Sequence, residues 1–284
     1  MDTSRQWRKI PFREQWAAED YLKAREPYCV AACAKFLHIQ KSTDHVWVLQ
    51  DAEGGITDLI LHSRRSLFPV FGSSRNIPAP RFLKRFLGKT PIHAVQGLEE
   101  DVDLLEAAME SRGYFAAERI GYDLMSLDSR PDPSCYRSGP AELLIRHPVN
   151  SDREELYRLQ AAYEQEEVLP RDAVFNPAAC RANLERLLRS EQMLLAVLNG
   201  QIVGKINTTA LSFARYQIGG VYVRPDYRGL GIAIRMTAVF LDSLIDEGRG
   251  VTLFVKKRNA SARAVYRRVG FVIEGSYRIS YYSC

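Results

Sequence analysis

The chain has 284 residues, a length that allows one or two domains of about 150 residues each. Hydrophobic residues make up 46% and charged residues 26%, which is ordinary for a soluble globular protein with a sizeable core. The net charge of +5 is mild, and the basic clusters do not form the stripe that a nucleic-acid-binding surface needs. No nucleic-acid partner is therefore expected.

The lengths of the apolar runs and the spacing of the cysteines bear on whether the protein is membrane-bound, secreted or metal-binding. No apolar run reaches the ~18 residues that span a bilayer, and the first 25 residues lack the apolar core of a secretory signal. The five cysteines have no metal-like pairing, and the five histidines are scattered. We therefore expect a cytoplasmic protein with no membrane partner and no metal.

The N-terminal half combines helices and strands with irregular spacing. Its hydrophobic pattern predicts helices at 27–37, 80–87 and 98–112 and strands at 46–49, 56–62, 67–71, 92–95 and 114–127. A stretch rich in Pro, Ser and Asp then extends from residue 126 to residue 140 and predicts a linker. This linker divides the chain into two predicted domains, 1–135 and 136–284.

The C-terminal half alternates more regularly. An Asn199-Gly200 pair predicts a hairpin turn between two strands. The remaining pattern predicts strands at 142–147, 192–198, 201–210, 251–255 and 271–283, a long strand ending at 223, and helices at 152–165, 177–190, 232–247 and from 259 onward. The resulting order is β-α-α-β-β-β-α-β-α-β.

The stretch from Val221 to Ala233 is the most informative part of the chain. An apolar strand leads into a glycine loop that opens a helix, and the free N–H groups of such a helix point at a bound phosphate. The spacing fits neither the NTPase P-loop nor the dinucleotide fingerprint. It reads Arg228-x-x-Gly231-x-Ala233, which taken alone is also compatible with an ordinary tight turn.

A second group of residues follows one strand later. Asn259 suits a helix N-cap, and Gly270 stands where a C-terminal glycine cap belongs. Tyr266 lies between them on the apolar face of the helix, where the simplest interpretation is a core aromatic. Phe271 then begins the last strand.

The two segments together resemble the GNAT superfamily of acyl-CoA-dependent N-acyltransferases. Its pyrophosphate-loop motif, Arg/Gln-x-x-Gly-x-Gly/Ala, matches Arg228, Gly231 and Ala233. Its second motif, Asn-x-x-Ala-x-x-x-Tyr-x-x-x-Gly-Phe, matches the stretch from Asn259 to Phe271, and the resemblance covers roughly residues 143–282. It implies an α/β fold with an α+β mixed sheet, and the element order implies two GNAT-like folds in tandem. The C-terminal copy is intact. The N-terminal copy is degenerate, because its loop at 72–78 lacks the motif, and we expect it to have lost coenzyme binding.

The resemblance also implies a coenzyme site and a reaction. The expected cofactor-binding residues are Val221, Tyr222, Val223, Arg228, Gly229, Leu230, Gly231, Ile232, Ala233, Asn259 and Tyr266. A neutral primary amine would attack the thioester of acetyl-CoA directly in a ternary complex. Tyr266 would protonate the departing thiolate, and a strand N–H near Val223 would stabilise the oxyanion. The partners would be acetyl-CoA and an amine acceptor, with a homodimer left open.

The residue that accepts the proton of the amine is not fixed by the motifs. Gln217 stands roughly where many relatives carry a glutamate, and a glutamine cannot act as a base. Glu164, Glu166 and Glu167 are the alternatives, and we predict a catalytic role for Glu166 and Glu167; a solvated acidic face or a water chain stays open. A second hypothesis is a non-catalytic acyl-CoA sensor. The acceptor and the length of the acyl group stay open as well.

Overall fold

The structure, a computed structural model, describes residues 7–40, 43–72, 83, 87, 91–169 and 174–282. Its helices are α1 (Gln15–Lys23), α2 (Glu26–Leu37), α3 (Glu99–Glu110), α4 (Arg153–Tyr163), α5 (Pro177–Ser190), α6 (Ile232–Asp246) and α7 (Ala260–Val269). Its strands are β1 (Arg8–Lys9), β2 (His45–Gln50), β3 (Ile56–Ser63), β4 (Ser66–Phe71), β5 (Ala94–Leu98), β6 (Glu118–Leu127), β7 (Leu144–Arg146), β8 (Met193–Leu198), β9 (Gln201–Leu211), β10 (Arg215–Val223), β11 (Gly250–Lys256) and β12 (Val272–Tyr281). In the described part of the chain, no helix is long and apolar enough to cross a membrane.

The chain forms two compact units. Unit 1 comprises Met1–Leu124 together with Glu274–Cys284, and unit 2 comprises Met125–Ile273. This grouping differs from the predicted division at residue 135 because the predicted linker is bonded to unit 2. The Tyr136 hydroxyl donates to Asp242 at 2.6 Å, and Arg268 donates to the Ser134 hydroxyl at 2.6 Å.

Unit 1 is built on a mixed sheet with the strand order β1-β2-β3-β4-β5-β12-β6. Strands β4 and β5 run parallel, with Ser66 opposite Ala94, and β5 pairs antiparallel with β12, with Tyr277 opposite Leu98. The pairing of β12 with β5 explains why the end of the chain groups with unit 1. Apolar residues of α3, including Val102, pack into the core beside β5.

Unit 2 has the strand order β11-β10-β9-β8-β7, in which β10 and β11 are parallel and the other neighbours antiparallel. Alternate residues of β8 enter different cores, because successive side chains of a strand point to opposite faces. Leu195 packs in a core with Leu156 of α4 and Leu184 of α5. Ala196 packs in a second core with Leu241 of α6. The sheet of unit 2 is therefore covered by helices on both faces.

Local chemistry explains several element boundaries, and the predictions made from it are confirmed. The predicted helix at 177–190 is α5, and Asn176 caps it by accepting from the Ala179 N–H at 3.0 Å. The predicted hairpin turn is present, with Asn199 at φ 50° and Gly200 at φ 77°.

In the N-terminal half, one described helix was not predicted, and two predicted segments lie largely outside the described residues. The helix α1 was not predicted, because its nine residues are polar on average and bury only Ala18, Tyr21 and Leu22. The predicted helix at 80–87 lies outside the described residues except for Leu83 and Leu87. The predicted loop at 72–78 lies outside them except for Gly72.

Candidate active site

A cleft of about 780 Å³ opens in unit 2 where β10 and β11 stop pairing. Their parallel register ends with Ile218 opposite Leu253. Beyond that point β10 contains a bulge, and its register with β9 shifts between Gly219 and Tyr222. The next three residues of β10, from Val221 to Val223, line the cleft.

The predicted glycine loop forms one end of this cleft. Gly229 and Gly231 have φ values of 78° and 79°, in the left-handed region that favours glycine. Gly231 is also required by space, because a Cβ there would lie 2.8 Å from the backbone nitrogen of Gly139. The side chain at Leu230 is 48% exposed, and Leu230 is the one predicted cofactor-binding residue that does not line the cleft.

The loop delivers the N-terminus of α6 into the cleft. The first helical backbone bond runs from the Arg235 N–H to the Gly231 carbonyl, and no side chain caps the helix. The N–H groups of Ile232 to Ile234 thus have no partner within the helix, and these residues line the cleft. Unpaired N–H groups together with the helix dipole make this end of the cleft suited to an anion such as a phosphate.

The opposite wall comes from α7. Asn259 accepts a hydrogen bond from the Ala262 N–H at 3.0 Å, as predicted for an N-cap, and its Nδ2 donates to Glu167 Oε1 at 3.1 Å. Tyr266 lines the cleft, and its ring meets Phe271 edge to face at 5.8 Å. Burial raises the pKa of Tyr266, with smaller contributions from Tyr163 and Glu167. The phenol therefore stays protonated at neutral pH and can donate a hydrogen bond or a proton.

The acidic residues predicted as bases lie on a π-helical turn, Glu164–Val168, that continues α4. Glu166 makes a two-pronged ion pair with Arg228, with both N–O distances at 2.8 Å. The hydrogen bonds from Arg228 lower the pKa of Glu166, so its carboxylate is a weak proton acceptor. Glu167 also lines the cleft, where it accepts from Asn259 and lies 3.9 Å from Lys256 Nζ.

Gln217 lies outside this group. It precedes the bulge in β10, and its amide Nε2 donates to Thr209 Oγ1 at 3.0 Å. It does not line the cleft. Within the described parts of the chain, no group of three or more His, Cys, Asp or Glu side chains is placed to hold a metal ion.

Two residues beside the cleft were missed by the sequence reasoning. The Tyr163 hydroxyl accepts from the Gly220 N–H of the bulge at 3.3 Å, and burial raises the pKa of Tyr163 to about 12. Lys205 on β9 is fully buried, and its Nζ donates to the Gly220 carbonyl at 2.9 Å. The one available signal was that two polar residues, Lys205 and Asn207, lie two positions apart in a predicted strand and therefore on the same face of it.

Comparison with known proteins agrees with the fold. The cleft combines a separated parallel strand pair with a glycine loop and a buried tyrosine in an α/β domain. Residues 153–271 match the sequence profile of the Acetyltransferase (GNAT) family, so the chain contains a GNAT acetyltransferase domain. A domain of this kind implies acyl transfer from an acyl-CoA. A search of the curated proteins returned no match.

Solved structures resemble the chain over nearly its whole length. A GCN5-related N-acetyltransferase from Sphaerobacter thermophilus has a TM-score of 0.60 at 18% identity, covering 99% of this chain and 96% of that one. A tandem GNAT protein from the clavulanic acid biosynthesis pathway has a TM-score of 0.60 at 13% identity, covering 97% of both chains. A GCN5-related N-acetyltransferase from Kribbella flavida has a TM-score of 0.55 at 15% identity, covering 94% of this chain and 96% of that one. These likenesses concern the fold, and they confirm the predicted mixed α/β class with two GNAT-like folds in tandem.

Proposed function

We propose that unit 2 is an acetyl-CoA-dependent N-acetyltransferase that modifies a primary amine by direct attack in a ternary complex. The observation that carries the proposal is the convergence of three parts on one cleft. These parts are the cleft-lining end of β10 from Val221 to Val223, the glycine loop at the start of α6, and the buried phenol of Tyr266.

The coenzyme would lie along β10 with its pyrophosphate at the loop. Its pantetheine arm would add to the edge of β10 as an extra strand, since β11 has diverged from that edge. The N–H groups between Arg228 and Ala233 would hold the pyrophosphate. Arg228 would release the carboxylate of Glu166 and bind a phosphate group instead. A guanidinium can bind either anion with two parallel hydrogen bonds.

The chemistry needs one proton acceptor and one proton donor. The amine nitrogen forms a bond to the thioester carbonyl carbon, and the C–S bond then breaks to release coenzyme A thiolate. We assign the amine proton to Glu167, which lines the cleft without a two-pronged ion pair, and not to Glu166, whose pKa Arg228 lowers. Tyr266 supplies the proton of the leaving thiolate, which agrees with its protonated state at neutral pH.

The test compares two buried tyrosines of unit 2. We expect Tyr266→Phe to lower kcat by about 100-fold or more, in the range of general acid catalysis, while acetyl-CoA still raises the melting temperature. Tyr216→Phe is the matched control, because the Tyr216 hydroxyl bonds to Glu247 at 2.6 Å outside the cleft and should leave kcat unchanged. Wild-type kcat in Tyr266→Phe would contradict the assignment. Binding of acetyl-CoA by the wild type without any turnover would favour a sensor.

A further inference from the structure

The buried lysine of β9 contacts the bulge in β10 from beneath the cleft. Lys205 has no exposed surface, and its Nζ donates to Asn207 Oδ1 at 3.1 Å and to the Gly220 carbonyl at 2.9 Å. The same nitrogen lies 4.7 Å from the ring centroid of Tyr163. Burying an ammonium group is costly in free energy. Here the two hydrogen-bond acceptors and the aromatic ring offset that cost.

The bulge residue is held at both of its backbone polar groups. The Gly220 carbonyl accepts from Lys205, and the Gly220 N–H donates to the Tyr163 hydroxyl at 3.3 Å. Gly220 has a φ of 58°, and a Cβ there would lie 2.1 Å from Asn207 Oδ1 and 2.7 Å from Lys205 Nζ. The sequence thus keeps a glycine at the position where the lysine approaches the backbone.

Because the peptide bond between Gly220 and Val221 is planar, the hydrogen bond from Lys205 to the Gly220 carbonyl also fixes the direction of the Val221 N–H. In a trans peptide the carbonyl of Gly220 and the N–H of Val221 point in opposite directions. With the carbonyl held on Lys205 Nζ, the Val221 N–H points away from the lysine, and Val221 lines the cleft. This N–H lies one strand pleat before Val223, the residue near which the oxyanion donor was expected.

We propose that Lys205 is a positioning residue, which holds the Gly220 carbonyl so that the Val221 N–H is aimed at the carbonyl oxygen of the acyl thioester. The inference rests on the proposed function of unit 2. Lys205 does not touch the substrate. It acts through one peptide plane, and the donor it orients would stabilise the negative charge that develops on the thioester oxygen.

The charge state of Lys205 responds to its surroundings. Burial lowers the pKa of Lys205 to about 7, and this effect is opposed by Glu164 in the π-helical turn after α4 and by Cys180 of α5. Glu164 is itself held by amide donors from Gln160 at 2.8 Å and Asn183 at 2.9 Å. Since a charged donor makes a stronger hydrogen bond than a neutral one, the grip on Gly220 should weaken as pH rises through the pKa of Lys205.

The direct test reads the polarisation of the thioester without any acceptor amine. Acetyl-CoA labelled with ¹³C at the carbonyl is bound to the full chain, and the carbonyl resonance is compared between free and bound states. We expect a downfield shift in the wild type that is largely lost in Lys205→Met, with the dissociation constant of acetyl-CoA close to that of the wild type. Calorimetry counts the coenzyme-binding sites, so that kcat can be expressed per site. In Lys205→Met this kcat should fall by about 100-fold, as expected for the loss of one oxyanion donor.

The matched control is Ile206→Val, which removes one methylene group from the neighbouring residue of the same buried strand and should keep the shift. An unchanged carbonyl shift in Lys205→Met, or equal losses in both variants, would overturn the inference while leaving the proposed function intact. Failure of the wild type to bind acetyl-CoA would overturn both.

A second variant serves if Lys205→Met does not fold. Asn207→Asp keeps the side-chain shape and places a carboxylate beside Nζ, which favours the ammonium and raises the pKa of Lys205. In the wild type the bound carbonyl resonance should change with pH around 7, and in Asn207→Asp this change should move to higher pH. A resonance that is independent of pH in the wild type, or that titrates identically in both, would contradict the role of Lys205.

Discussion

Replacing Gly220 by alanine tests the packing beneath the bulge in β10. Gly220 has a φ of 58°, and moving a non-glycine residue into the left-handed region costs about 1–2 kcal/mol. The new Cβ would lie 2.1 Å from Asn207 Oδ1 and 2.7 Å from Lys205 Nζ, so these side chains must move and the buried bond to the Gly220 carbonyl is lost. Loss of a hydrogen bond to a charged group costs about 1.5–3 kcal/mol.

Together these costs predict a destabilisation of about 2.5–5 kcal/mol for Gly220→Ala, from the sum of the two ranges. For a unit of this size the melting temperature should fall by roughly 10 °C. Gly200→Ala is the matched control, because Gly200 has a φ of 77° but nothing lies within 4 Å of the added Cβ. Its free energy of unfolding should fall only by the cost of placing alanine in the left-handed region, about 1–2 kcal/mol. Thermal and urea unfolding followed by circular dichroism measure both variants, and equal destabilisation of the two would refute the reasoning.

Three further substitutions separate the roles of the residues around the cleft. Glu166→Gln should keep kcat and bind acetyl-CoA up to about fivefold more tightly. The reason is that a partly exposed ion pair, worth at most ~1 kcal/mol, no longer occupies Arg228. Loss of turnover in this variant would instead identify Glu166 as the base. Glu167→Gln should lower kcat by about 100-fold with little change in coenzyme affinity, which steady-state kinetics checks. Asn259→Ala should destabilise the protein by about 1 kcal/mol in urea unfolding, because the cap on the Ala262 N–H is lost.

Local chemistry made much of unit 2 predictable. The positive φ values of Gly229 and Gly231, the cap at Asn259 and the boundaries of α5 each follow from residue types at neighbouring positions. Such features depend on backbone propensity and short-range hydrogen bonds, which a single sequence records. The resemblance to the GNAT superfamily, rather than local chemistry, brought the glycine loop and Tyr266 into one proposed site, and both line the same cleft.

The features that sequence reasoning missed depend on long-range contacts. Lys205 and Gly220 are 15 positions apart, and only the register between β9 and β10 brings the ammonium to the carbonyl. The pairing of Arg228 with Glu166 spans 62 positions and requires the π-helical turn after α4. Likewise, the grouping of the end of the chain with unit 1 follows from the pairing of β12 with β5. No local pattern encodes these partners.

Release of free coenzyme A thiol from acetyl-CoA by the purified full chain tests the proposed activity most directly. The acceptors should span polyamines, amino acids, aminoglycosides and short peptides with free amines. We predict amine-dependent thiol release by the wild type that is lost in Arg228→Glu, since that change puts a negative charge where the pyrophosphate would bind. Absence of thiol release with every amine, together with no rise in melting temperature on adding acetyl-CoA, would contradict the assignment of unit 2 as an acetyl-CoA-dependent enzyme.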